Sequence, residues 1–302
     1  MSDAWLLLPD LLLIVCGYLI CRYTPLDRTV WDGAERLVYY VLFPTLLFVS
    51  ILRNPLSLGT ALPLAGSGLV VVAVGIVLAL AIGRWPGVDA RLHASGAQTA
   101  FRFNTYVVLA LAERLAGQAG IAWVGVIVSV CVPLANVGAV WPLARAGGHG
   151  LLRELARNPL VIATLAGLVG NMLGLTLPQV ANVTLTRIGS AALPIGLMAV
   201  GAGLRLGALG EAPRLATALL AIRHAVLPAV GIGMALGLQL PPPQQAVVVS
   251  FAAAPTASSA YVLAVRMGGH GPFVASLVTV STLVGMLGLP LALVALRWLS
   301  PG

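Results

Sequence analysis

Apolar residues run in blocks too long to be the buried stripe of a soluble helix, and polar residues gather in short stretches between the blocks. A helix crossing a hydrocarbon core of about 30 Å needs roughly 20 mainly apolar residues. Ten blocks meet that length: 4–21, 34–52, 62–83, 93–115, 120–143, 158–176, 186–205, 220–238, 244–266 and 273–297. Arg, Pro and Gly concentrate between them, at Arg22 to Gly33, Arg53 to Leu58, Arg84 to Arg91, Arg145 to Asn158, Leu206 to Arg214 and Pro241 to Pro243. The pattern predicts an all-α polytopic membrane protein. The first block is preceded by Asp3 and no basic residue, whereas a cleaved signal peptide has a positive leader, so it is expected to remain as the first helix.

Two blocks depart from uniform hydrophobicity at their midpoints. The fourth carries Gln98, Arg102 and Asn104 in the run Thr99-Ala-Phe-Arg-Phe-Asn-Thr-Tyr106, and the ninth carries Ser250-Phe-Ala-Ala-Ala-Pro-Thr-Ala-Ser-Ser259 around Pro255. These occupy corresponding places if the ten blocks divide five and five. A repeat with an odd number of crossings must sit inverted relative to its copy. Pro9 and Gly17 recur at Pro159 and Gly167, Pro44 at Pro194 and Pro63 at Pro213, all with one offset of 150 residues. The expected organisation is a first repeat at 1–143, a cytoplasmic linker at 144–157 and a second repeat at 158–302.

Composition narrows the classes. Of 302 residues, 59% are hydrophobic and 9% charged, against about 25% charged in soluble domains, which excludes a soluble enzyme, a disordered chain and a soluble nucleic-acid binder. All 17 basic residues are Arg, so the chain has no Lys for a phosphate-binding P-loop. Cys16, Cys21 and Cys131 have no C-x-x-C spacing, and His93, His149, His224 and His270 share no metal-like spacing; neither a metal nor a cofactor is expected. Odd-numbered connections hold Arg22, Arg28, Arg36, Arg84, Arg91, Arg145, Arg153, Arg157, Arg205, Arg214, Arg223 and Arg266, while the even side holds Arg53, Arg114, Arg187 and Arg297. Excess positive charge stays cytoplasmic, so both termini are expected outside, in an inner (plasma) membrane. Arg223-His224 reads as the cytoplasmic end of block eight. The acids fall at block edges, with Asp10 an interfacial group, and none follows Glu211.

The interrupted blocks are where chemistry is expected. Proline removes a backbone N–H, Asn competes for backbone partners, and loosened backbone at membrane depth survives only where protein or a water-filled cavity surrounds it. The second half of a broken helix starts with N–H groups and roughly half a positive charge. Arg102 adds a guanidinium whose planar fork suits a carboxylate, and a charge at that depth marks a functional site. Arg102, Asn104, Thr105, Pro255 and Thr256 are the candidate substrate-binding residues, with Asn136 of Pro133-Leu-Ala-Asn136 as a secondary one. Asn136 and Asn171 are both expected to bridge helices by hydrogen bonds. Polar groups are confined to two midpoints rather than spread along one face as in a channel. No set of paired acids, Ser/His dyad or metal cluster that an intramembrane enzyme needs is visible.

These residues resemble the auxin efflux carrier family, which includes plant PIN proteins and many bacterial carriers, within the bile acid/arsenite/riboflavin transporter superfamily. The likeness rests on Gly17-Tyr18, Phe43-Pro44, Phe103-Asn104-Thr105, Asn158-Pro159, Pro194 to Gly203, Ala221 to Pro228, Ala254-Pro255, and Ser281-Thr282 ahead of Leu289-Pro290. It implies ten helices in two inverted repeats, with helices four and nine unwound and crossing at mid-membrane. Helices one, two, six and seven would form a scaffold, through which a homodimer would assemble, and helices three to five and eight to ten a transport unit moving as an elevator. The implied substrate is a small organic anion, a mono- or dicarboxylate, carried without a dedicated sodium site; a sodium-coupled symporter of bile-acid type is the alternative. Family members often place Gly and Pro five and seven residues after the helix-four Asn, where this chain has Leu109 and Leu111. The expected break in helix four is therefore shallower and held by Asn104 and Arg102. The short segment Arg145 to Arg157 points to a bacterial-type carrier.

Overall fold

A computed structural model describes residues 3–53, 58–143, 159–204 and 209–300. The linker 144–157 and the side chain of Asp10 lie outside the described residues. The described chain is helical, with α1 Asp3–Tyr23, α2 Arg28–Leu37, α3 Phe43–Arg53, α4 Leu58–Ile82, α5 Ala90–Gly96, α6 Thr105–Leu143, α7 Pro159–Met172, α8 Gln179–Ser190, α9 Ala192–Ala202, α10 Pro213–Ala221, α11 Leu227–Gly237, α12 Pro242–Ala253, α13 Ser259–Arg266 and α14 Gly271–Leu299. Among the described residues the one extended pairing is an isolated antiparallel bridge between Phe103 and Thr256.

Among the described residues, six helical stretches are long and apolar enough to cross a membrane: Arg28–Arg53, Gly59–Ile82, Thr105–Ala139, Gln179–Ala202, Pro213–Gly237 and Gly271–Leu299. Two shorter apolar helices, Leu12–Tyr23 and Ile162–Met172, lie in the expected first and sixth spans. The expected fourth and ninth spans are interrupted. A single-turn wide loop of helix at Val38–Leu42 joins α2 to α3, and another at Ile222–Val226 joins α10 to α11, so each pair runs on as one rod. α6 does the opposite: Gly117 takes φ 58° and ψ −142°, open only to glycine. A Cβ on Gly120 would lie 2.1 Å from the Ala112 carbonyl oxygen, although residues eight apart in a straight helix are about 12 Å apart. The chain therefore folds back at Gly117.

The chain divides into two compact units. One comprises residues 1–65, 106–129 and 150–203; the other comprises 66–105, 130–149 and 204–302. In the first, α1 packs on α9 at backbone contact distance: a Cβ on Gly17 would meet Met198 O at 1.9 Å, and one on Gly201 would meet Ile14 O at 1.7 Å. Small residues permit this approach, and dispersion rather than hydrophobic exclusion holds helices together in lipid. α3 packs on α7 and α8, and Asn171 of α7 donates to Ile51 O and Leu52 O, both at 3.0 Å. The expected bridging role of Asn171 is thus to occupy carbonyls at the end of α3.

Two boundaries differ from the sequence pattern. The Asp27 carboxylate accepts from Thr29 N at 2.9 Å and Val30 N at 3.4 Å, which starts α2 at Arg28 rather than at 34. Arg28 then pairs with Asp32 at 2.9 Å and Glu35 at 2.8 Å, leaving the Glu35 side chain 18% exposed. One acid expected at a helix edge is thus mostly enclosed. The other boundary is Pro213, which opens α10 in its first turn, where its missing N–H costs nothing. The helix expected to begin at 220 begins seven residues earlier.

The α1–α9 contact gives a direct test. Gly201→Val is expected to force α9 off α1 and destabilise the protein by about 1–3 kcal/mol, read as a lower thermal unfolding temperature in detergent. Gly233→Ala, where an added Cβ meets nothing within 4 Å, is expected to leave that temperature unchanged or higher.

Candidate functional site

The two interruptions themselves, residues 101–105 and 254–258, belong to the second compact unit. α5 is capped by Asp89, which accepts from Leu92 N at 2.8 Å, and tightens into a single turn at Ala97–Ala100 before leaving the helix. Residues 101–104 run extended, and α6 starts at Thr105. α12 stops at Ala253, residues 254–258 run extended, and α13 starts at Ser259. The two extended pieces cross antiparallel at Phe103 and Thr256. Asn104 N donates to Pro255 O at 2.8 Å and Ala257 N donates to Arg102 O at 3.3 Å, one bond on each side of the crossing. Each break supplies the backbone partners that the other lost.

The crossover is buried and close-fitting. Thr256 is 0% and Asn104 3% exposed, and the Phe103 and Phe251 rings meet edge-on with centroids 4.5 Å apart. A Cβ on Gly285 of α14 would lie 3.0 Å from Pro255 Cβ, so glycine makes the room for the proline. One turn earlier on α14, Ser281 Oγ accepts from Thr256 N at 2.8 Å.

The carbonyl ends of the first halves are occupied from inside the protein. Thr256 Oγ1 donates to Thr99 O at 2.6 Å. Arg223, 1% exposed, donates through Nε to Ala254 O at 2.6 Å and through Nη2 to Ala252 O at 2.9 Å and Phe251 O at 3.2 Å. A helix that stops at membrane depth leaves its last carbonyls without intrahelical donors, and one guanidinium reaches three of them. The wide turn at Ile222–Val226 aims it there: Pro228 has no N–H to offer, and Leu227 N reaches back to Ile222 O. Such turns are frequent at functional positions.

Sequence pattern assigned Arg223-His224 to the cytoplasmic end of a helix, and the structure corrects this. Because α10 starts at Pro213, Arg223 stands about 15 Å into the rod, beside the crossover. The signal that would have placed it was Pro213 as a first-turn proline. The sign of the arginine asymmetry between odd and even connections does not depend on it.

Of the sequence-derived candidates, five meet at the crossover. Arg102 is half-buried and its Nη2 donates to Ser259 Oγ at 3.3 Å, at the first residue of α13. Asn104 and Thr105 stand at the start of α6, while Pro255 and Thr256 form the facing strand. Asn136 is a half-buried residue of α6. The described acids of this unit, Asp89 and Glu211, are held at its helix ends, Asp89 as a cap and Glu211 against His270 Nε2 at 3.2 Å. No group of three or more His, Cys, Asp and Glu that could hold a metal ion occurs among the described residues. The crossover thus has its carbonyl ends covered by donors, two guanidinium groups, and the starts of two helices.

A family model described as membrane transport protein, that of the auxin efflux carriers and PIN-like proteins, matches residues 145–293. Residues 145–293 thus carry the likeness to the auxin efflux carrier family. The match takes in the second break, Arg223 and Ser281, and the first break precedes it. Comparison with curated proteins finds no match. The family is one of transporters, and with several membrane-crossing helices the chain is a multi-pass membrane transport protein.

Removing the guanidinium tests the capping role. Arg223→Met is expected to lower stability by several kcal/mol, since each orphaned buried acceptor costs about 1–3 kcal/mol. Arg223→Lys, which keeps the charge but not the fork, is expected to fall between Arg223→Met and wild type in thermal unfolding.

Proposed function

We propose that the protein carries a small organic anion, a mono- or dicarboxylate, across the inner membrane as a secondary active or facilitative transporter. The observation that carries this reading is the polarity of the crossover. Thr256 and Arg223 donate to carbonyls at the ends of the broken helices, and the Arg102 guanidinium stands at the first residue of α13, so the charge that the crossover offers a ligand is positive. Helix starts attract anions through their N–H groups and dipole, and a guanidinium binds a carboxylate through two parallel bonds. Arg102, Asn104, Thr105, Pro255 and Thr256 form the site in this reading. Asn136 is a secondary member of the site in this reading.

The same reading takes the chain as ten crossings in two inverted repeats, 1–143 and 158–302, with 144–157 cytoplasmic and both termini outside. The shorter apolar helices α1 and α7 and the two interrupted helices complete the six long spans to ten. An elevator-like alternating-access movement is the mechanism that the family likeness suggests, and the crossing residues 101–105 and 254–258 lie within one compact unit.

Uptake of labelled mono- and dicarboxylates into proteoliposomes tests the function. Arg102→Ala and Asn104→Ala are each expected to weaken binding roughly tenfold or more, as loss of a hydrogen bond to a charged group costs about 1.5–3 kcal/mol, with unfolding temperatures near wild type. Full uptake by both variants would remove the crossover from the binding site, and sodium-dependent uptake would favour a bile-acid-type symporter. For topology, Ser2→Cys is expected to react with an impermeant maleimide added outside intact cells; protection would reverse the orientation.

A further inference from the structure

The crossover has one titratable neighbour that the anion site does not use. His224 follows Arg223 in the wide turn and points to α14, where its Nε2 lies 2.8 Å from Ser281 Oγ. The same oxygen accepts from Thr256 N at 2.8 Å. The chain of contacts His224, Ser281, Thr256 N therefore runs from a half-buried imidazole to the backbone of the second break. A serine hydroxyl has one proton to give and two lone pairs, and one lone pair already holds the Thr256 amide.

That arithmetic makes the contact two-valued. With Nε2 unprotonated, the Ser281 proton points to it and His224 is the acceptor. With Nε2 protonated, the ring donates, both Oγ lone pairs are taken, and the Ser281 proton turns to another acceptor such as the carbonyl one turn back on α14, a usual partner for a helical serine. Uptake of a proton at a His224 that accepts through Nε2 thus turns the Ser281 hydroxyl away from the ring, leaves that oxygen shared between Thr256 N and the imidazolium, and adds a positive charge two hydrogen bonds from the crossover.

We propose that His224 is the proton-binding residue that couples proton movement to anion transport, acting through Ser281 on the crossover as a positioning residue. The inference rests on the anion reading given above. Its direction follows from charge. Arg223 is the charged neighbour of His224, and like charges on consecutive residues repel, so a second positive charge is best tolerated when an anion occupies the crossover. Proton and anion then favour one another's binding by the same factor, as linkage requires. The described elements with the most contacts to the turn are α10, α11, α12, α14 and the turn 97–100. α11, α12 and the turn 97–100 contain no ionisable side chain. Arg214 of α10 stands about 15 Å away along its helix, and on α14 His270 and Arg297 lie about 16 and 24 Å from Ser281.

Two measurements on the full-length protein in proteoliposomes separate the inference from the reading beneath it. Counterflow of labelled mono- and dicarboxylates without a gradient reports anion transport, and accumulation driven by an inside-alkaline pH gradient reports coupling. Wild type is expected to do both. His224→Gln, which keeps a hydrogen-bonding group but cannot titrate between pH 5 and 8, is expected to retain counterflow within a few-fold and lose gradient-driven accumulation. Ser281→Ala, which leaves the imidazole and cuts its link, is expected to lose the gradient dependence too, and it carries the test if His224→Gln does not fold. Undiminished accumulation by His224→Gln, or wild-type counterflow indifferent to the gradient, overturns the proton site and leaves the anion reading standing. Absence of wild-type counterflow with every carboxylate overturns both.

Discussion

Everything distinctive about this protein follows from the need to pair backbone N–H and C=O groups where no water is available. Hydrocarbon makes each unpaired group cost several kcal/mol, which is why membrane segments are normally unbroken helices. Here two helices are broken, and the breaks cross so that Asn104 N finds Pro255 O and Ala257 N finds Arg102 O. Neither break is viable alone, because its partners sit on the other. Thr99 O is met by a threonine hydroxyl and Thr256 N by a serine oxygen, so side chains complete what the two strands cannot supply.

Arg223 shows why the solution needs an ion rather than another hydroxyl. Three carbonyls at the end of α12 converge on one place, and a guanidinium has enough donors in a fixed plane to reach them, whereas an ammonium is a compact point with a strong claim on water. The charge is spread over oxygens that themselves form the negative end of a helix, which offsets the cost of burying it. Placing it there required the wide turn at Ile222–Val226 and the missing N–H of Pro228. A defect in one helix thus mends a defect in another.

The sequence made the breaks legible and left their repair hidden. Pro255 and Asn104 interrupt apolar runs, and each disturbs its own helix, so local pattern finds them. The fold-back at Gly117 was legible for the same reason, as a gap between blocks at 116–119. Arg223 was not, because its partners lie 28 to 31 residues away and its depth depends on where α10 starts, which Pro213 sets. Ser281 and His224 are 57 residues apart in sequence, and nothing local distinguishes that serine from others in helices. Glu35 was read at a helix edge since only the Asp27 cap and the Arg28 pair show that α2 begins earlier. What depends on one helix is written in it, and what depends on packing is not.

The covered carbonyls also bear on why such a crossover would prefer anions. A pair of broken helices presents both signs: carbonyl ends that coordinate cations, and amide ends that attract anions. A carrier that binds sodium at such a place needs the carbonyl ends open. Here Arg223 donates to carbonyls at the end of α12 and Thr256 Oγ1 to the Thr99 carbonyl, so in the proposed anion reading the groups that knit the crossover together also cover oxygens that a cation would use. Stability and selectivity then draw on the same bonds. The carboxylate reading accordingly does not depend on Arg102 alone: taking that guanidinium away would weaken the positive field, but the signs of the remaining helix ends would stay as Arg223 and Thr256 leave them.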